Sequence, residues 1–104
     1  MLIQVTTKNF SDIIFNSKQT VLLSFLSSDK EIAKKQKDIL RQFALQNPHI
    51  LVANIDSEKE LSLVTMYKSS PVGIPSVKVF KNGRCIASED GILSQQELLQ
   101  FVSK

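Results

Sequence analysis

A chain of 104 residues is long enough to bury one hydrophobic core and too short for two ordinary domains. Its 42% hydrophobic and 22% charged residues fit a folded, soluble globular protein and exclude a disordered or collagen-like polymer. The net charge of +3 permits an acidic partner without demanding nucleic acid, and no apolar run approaches the ~20 residues that cross a bilayer.

Cys85 is the only cysteine and His49 the only histidine. An intrachain disulfide and a multi-cysteine or zinc-histidine metal site are therefore excluded, no cofactor is expected, and any redox chemistry has to be monothiol. Met1 to Val5 is too short for the apolar part of a secretory signal, so the cytoplasm is the expected location.

In chain order, Met1 to Val5 is a short strand candidate, and Asn9 with Asp12 marks a first helix start. Thr20 to Leu26 is nearly continuously apolar and reads as a strand covered on both faces. Ser28 with Glu31 then has the spacing of a capping box and opens a long amphipathic helix. That helix gathers Ile32, Ala33, Ile39, Leu40, Phe43 and Ala44 in one apolar sector and Lys30, Lys34, Lys37 and Arg41 along another side. Pro48 helps close it, because proline cannot donate the next helical hydrogen bond.

Ile50 to Ile55 is a second buried strand. Ser57 with Glu60 marks a third helix, closed by Pro71. Val77 to Phe80 and Arg84 to Ser88 flank Asn82-Gly83, the dipeptide that most readily takes the positive φ angles of a tight hairpin. Ser94 with Glu97 opens a fourth helix. The order is β-α-β-α-β-α-β-β-α, a three-layer α/β domain over residues 1–104 with a mixed sheet: parallel strands joined through helices, then an antiparallel hairpin.

This order and three local motifs resemble thioredoxins, and the resemblance covers nearly the whole chain. Val21-Leu22-Leu23-Ser24-Phe25 leads without a gap into the helix ending Ile39-Leu40-Arg41-Gln42-Phe43-Ala44. Asn54-Ile55-Asp56 resembles the family's third strand and its acidic exit. The run Gly73-Ile74-Pro75-Ser76-Val77-Lys78-Val79-Phe80-Lys81-Asn82-Gly83 looks like the family's Gly-Ile-Pro-Thr segment, strand and Lys-Asn-Gly turn. The resemblance implies the thioredoxin fold, with Pro75 as the family's cis-proline and the backbone of Ile74 available to pair with an extended peptide.

The departures bear on function. Where thioredoxins carry Trp-Cys-Gly-Pro-Cys, this chain has Asp29-Lys30-Glu31-Ile32-Ala33, so both sulfurs are missing. Ser24 stands where the family has a buried acid, and Leu26 replaces its tryptophan. Between Asp56 and Pro75 the chain is a few residues longer than typical thioredoxins, which enlarges the third helix or its following loop. Ser28, Asp29 and Glu31 are expected to cap the helix and complement its dipole where a reactive thiol would otherwise sit.

The expected function is a redox-inactive thioredoxin-like module that binds a protein or extended peptide through Ile32, Gly73, Ile74, Pro75 and Gly91. One alternative is a monothiol oxidoreductase working through Cys85, which the strand pattern reads instead as a small, partly buried hydrophobe. Another is an accessory subunit of a larger complex, with the basic face of Lys30, Lys34, Lys37 and Arg41 against an acidic partner. Neither nucleic acid nor membrane is an expected partner: no aromatics interleave the basic residues, and His49 reads as an exposed loop residue.

Overall fold

The computed structural model describes residues 2–67 and 75–104. Its two most apolar runs form the centre of a sheet: β2 (Thr20–Phe25) and β3 (Ile50–Ile55) pair in parallel, with Val21 opposite Leu51 and Phe25 opposite Ile55. The short edge strand β1 (Leu2–Gln4) pairs in parallel with β3. On the other side β4 (Ser76–Lys81) runs antiparallel to β2, and β5 (Arg84–Asp90) antiparallel to β4, giving the order β1-β3-β2-β4-β5. Asn82 at φ 53° and Gly83 at φ 79° make the expected two-residue turn, with Lys81 opposite Arg84.

Alternation along the central strands divides their side chains between two cores. Leu22, Val52, Val77 and Val79 face α1 (Lys30–Gln46) and α3 (Gln95–Val102), where they meet Leu40, Phe43, Leu98 and Phe101. Val21, Leu23, Phe25, Ala53 and Phe80 face the opposite way, onto Phe10, Ile14, Leu63 and Val64. Leu63 and Val64 belong to α2 (Leu61–Met66). The result is an α/β domain of three layers with the mixed sheet in the middle, as the thioredoxin-like order requires.

The helix boundaries differ from the sequence expectation in three places. The first helix is a short π-helical segment, Ser11–Phe15, closed by a hydrogen bond from Asn16 N–H to the Ser11 carbonyl at 3.1 Å. Asn9 does not cap it, because its Oδ1 accepts from Thr6 N–H at 2.7 Å, one of the local bonds by which asparagine competes with helix. The cap of α1 is Asp29, not Ser28. The third helix opens at Leu61, since Ser57 is buried and donates its hydroxyl to the Leu26 carbonyl instead of capping. Ser94 and Glu97 do form a full capping box on α3, at 3.2 and 2.9 Å. Pro71 lies outside the described residues, as does the rest of 68–74.

Candidate functional site

The end of the sheet where β2 stops is also where α1 begins. After Phe25 the chain passes through Leu26, Ser27 and Ser28, then turns into α1 at Asp29. The Asp29 carboxylate accepts from the backbone N–H groups of Glu31 at 2.9 Å and Ile32 at 3.1 Å. These are two of the four amides that every helix start leaves without an internal partner. A negative group accepting them also opposes the positive end of the helix dipole.

Beneath this turn lies a polar network that the helical pattern does not announce. Gln36 is 4% exposed, and its Oε1 accepts from Ser27 N–H at 2.7 Å. Its Nε2 donates to Ser24 Oγ and to the Phe25 carbonyl, both at 3.3 Å. Gln36 thus ties the end of β2 and the loop after it to the second turn of α1. Ser24 is 1% exposed and its hydroxyl is satisfied by the Gln36 amide, whereas a carboxylate at that depth would need a counter-charge or further donors.

The groove proposed around Pro75 is only partly within the described residues. Ile32 is half-buried on the first turn of α1. Pro75 precedes Ser76, which pairs with Phe25, so Pro75 sits at the same end of the sheet as the start of α1. Its carbonyl accepts from Gly91 N–H at 2.7 Å. Gly91, at φ 100°, borders a cleft of about 10 Å³ shared with Ser24, Gln36 and Ile39. Gly73, Ile74 and the bond joining Ile74 to Pro75 lie outside the described residues.

A model of the thioredoxin family matches residues 1–104. The chain belongs to the thioredoxin family. A protein named thioredoxin from Buchnera aphidicola subsp. Baizongia pistaciae (strain Bp) is 28% identical over 103 residues, covering 98% of this chain and 93% of that one. Thioredoxins of Buchnera aphidicola subsp. Acyrthosiphon pisum (strain APS) and of Chlamydia trachomatis serovar D are each 25% identical, over 99% and 96% of this chain and 94% of their own length.

The start of α1, where the sequence resemblance set the family's two cysteines, carries Lys30 and Ala33 and no sulfur. The single thiol is elsewhere. Cys85 pairs with Phe80, which pairs with Val21 at the opposite end of β2 from Phe25. Four steps along the strand separate Val21 from Phe25, about 13 Å at ~3.3 Å per residue. Cys85 is exposed, contrary to the expected partial burial, because β5 is an outer edge strand with nearly every residue exposed. A bulge at Ile86 further interrupts the alternation from which burial was inferred. Its Sγ lies 3.5 Å from the Ala87 carbonyl.

Cys85 stands opposite Phe80, a member of the aromatic cluster on one side of the sheet. Tyr67, the sole tyrosine, stacks among Phe10, Phe25 and Phe80 with ring centroids 5.6 to 6.5 Å away. Burial pushes its phenol above the ordinary value, and electrostatic interaction with Cys85 pushes it further.

The third set of candidate residues lies along one side of α1. Lys30, Lys34, Lys37 and Arg41 line one open groove of about 410 Å³ with Leu26, Ala33 and the carboxylates Asp56 and Glu58. Arg41 pairs with Asp38 at 3.5 Å, and this is the one ion pair among the described residues. No helix among the described residues is long and apolar enough to cross a membrane.

Proposed function

We propose that this thioredoxin-family chain works as a protein- or peptide-binding module and does not carry out dithiol-disulfide exchange. The observation that carries the reading is the start of α1. A family thiol is activated by the positive potential of free helix N–H groups. Here those amides are held by Asp29, and the positions of the two sulfurs hold an amine and a methyl group. Binding requires no sulfur: a segment in extended conformation beside Pro75 would be held by main-chain hydrogen bonds, with Ile32 supplying apolar contact.

The exposure of Cys85 favours a second reading, a monothiol oxidoreductase. A lone thiolate can attack a disulfide sulfur and form a mixed disulfide, but release then requires a separate low-molecular-weight thiol as reductant. The two readings part in one assay, reduction of a protein disulfide by dithiothreitol with and without the domain, alongside Cys85→Ser and an authentic thioredoxin. No acceleration is expected. Acceleration that disappears in Cys85→Ser would replace the binding reading with the monothiol one.

A further inference from the structure

The groove beside α1 has a charge layout that selects its occupant. Lys30, Lys34, Lys37 and Arg41 recur at four-, three- and four-residue steps, so they form one row along the helix. At ~1.5 Å per residue the row is about 16 Å long. None of the three lysines has an ion-pair partner among the described residues, and only Arg41 is engaged. The other side of the groove carries Asp56 and Glu58 on the turn after β3. Asp56 is committed to that turn, its Oδ1 accepting from Glu58 N–H at 3.0 Å and Lys59 N–H at 3.2 Å, whereas Glu58 is exposed.

We propose that this groove binds an extended acidic segment of a partner protein, with its carboxylates toward α1 and neutral or basic side chains toward Asp56 and Glu58. Side chains of an extended chain alternate between two sides, so carboxylates at every second residue stand about 6.6 Å apart along one side. That spacing lies close to the 4.5 to 6 Å axial steps of the basic row at ~1.5 Å per residue, within the reach of flexible lysine side chains. A polyanion such as single-stranded nucleic acid or polyphosphate presents charge in every direction and would meet the two carboxylates, and the groove has no aromatic side chain on which bases could stack. A small anion requires converging donors, and a row about 16 Å long, at ~1.5 Å per residue, does not converge. The proposal rests on the reading of the chain as a binding module and not on its lack of redox activity, since no residue of the groove is a thiol.

The test uses fluorescence anisotropy with a labelled peptide of about ten residues, long enough at ~3.3 Å each to span the row. One peptide alternates glutamate with serine and a second alternates glutamate with lysine; the competitors are polyphosphate and a single-stranded oligonucleotide. Both peptides are expected to bind at low salt and to weaken as salt rises. The double variant Lys34→Glu, Lys37→Glu should weaken both by roughly tenfold or more, as charge reversal at an interface does. Glu58→Lys should weaken the glutamate-lysine peptide and strengthen the glutamate-serine one. All three positions lie outside the buried core, and far-ultraviolet circular dichroism confirms that the variants fold.

Absence of peptide binding to the unaltered chain would overturn the proposal, as would binding that the double variant leaves unchanged. Competition by polyphosphate or the oligonucleotide at least as strong as by unlabelled peptide would also overturn it, making the groove a general polyanion site. The dithiothreitol assay is independent: redox activity with intact peptide binding would sink the redox-inactive reading alone, and loss of peptide binding without redox activity would sink this one alone.

Discussion

Replacing Gln36 with leucine removes the polar link between β2 and α1 while nearly conserving side-chain volume. Three groups lose their partner: Ser27 N–H, the Phe25 carbonyl and the hydroxyl of Ser24. An unsatisfied buried polar group costs about 1–3 kcal/mol, and replacing a partner by an apolar group removes one side of each bond without relieving the other. Ser27 is only half-buried and Ser24 can rotate its hydroxyl, so the expected loss is about 2–3 kcal/mol, not the sum of three full penalties. For a domain of this size each kcal/mol lowers the melting temperature by about 4–8 °C. Urea unfolding of the two proteins measures the difference directly, the slope showing whether both expose the same surface. Gln36→Glu separates polarity from shape: a carboxylate can still accept from Ser27 N–H but cannot donate to the Phe25 carbonyl, so part of the loss should be recovered at acidic pH, where the protonated acid donates. A Gln36→Leu variant as stable as the parent would refute the account and make the network incidental to the fold.

Two further outcomes follow from the titrating groups. Hydrogen bonds from Ser94 N–H and the Ser94 hydroxyl hold Glu97 below the usual glutamate value, so the ionised acid is the form that the fold prefers. Its contribution is present above the unfolded value of about 4.3 and lost as pH falls through the lower folded value, so the stability cost of Ser94→Ala should shrink in acid denaturation series. Tyr67 runs the other way: burial and then Cys85 raise its pKa, so its share of stability is complete below about 10 and lost as pH rises through the folded value. As the sole tyrosine, it gives a phenolate absorbance titration with one midpoint above the ordinary value, and Cys85→Ser should move that midpoint part of the way down.

The parts of the fold that sequence made plain are those where one physical signal dominates. β2 and β3 are apolar at almost every position because both faces are covered, and a run of that kind has few alternatives. Asn82-Gly83 sets the hairpin because few other pairs tolerate two positive φ angles in succession. The lysine row was equally visible, since it depends only on helical spacing.

Where two polar residues compete for one role, the sequence is ambiguous. Ser28 and Asp29 are both good caps, and choosing between them needs the exit angle of β2; Ser57 resembles a cap but is drawn inward to the Leu26 carbonyl. Gln36 was hidden because a polar residue inside an apolar helix sector looks like a boundary of the sector. Its one signal is position, four residues beyond Ile32 and four before Leu40, both counted as apolar. Lys78 was likewise read as part of the strand, yet its stem is buried and its Nζ donates to Ser88 Oγ at 2.9 Å across the hairpin.

The departures around the start of α1 support one another physically. A thioredoxin-type thiol is useful because its helix terminus is under-compensated, and that potential is what lowers the thiol pKa. With no sulfur to activate, free helix amides bring only their desolvation cost, and a carboxylate cap such as Asp29 becomes favourable. Likewise, a buried acid beneath the helix is costly unless its charge serves the chemistry above it, and Ser24 with Gln36 fills the same depth with neutral hydrogen bonds. Installing cysteines at Lys30 and Ala33 alone would therefore place sulfur in a terminus whose potential Asp29 already opposes. Restoring a low thiol pKa there would also require removing the Asp29 carboxylate from the Glu31 and Ile32 amides.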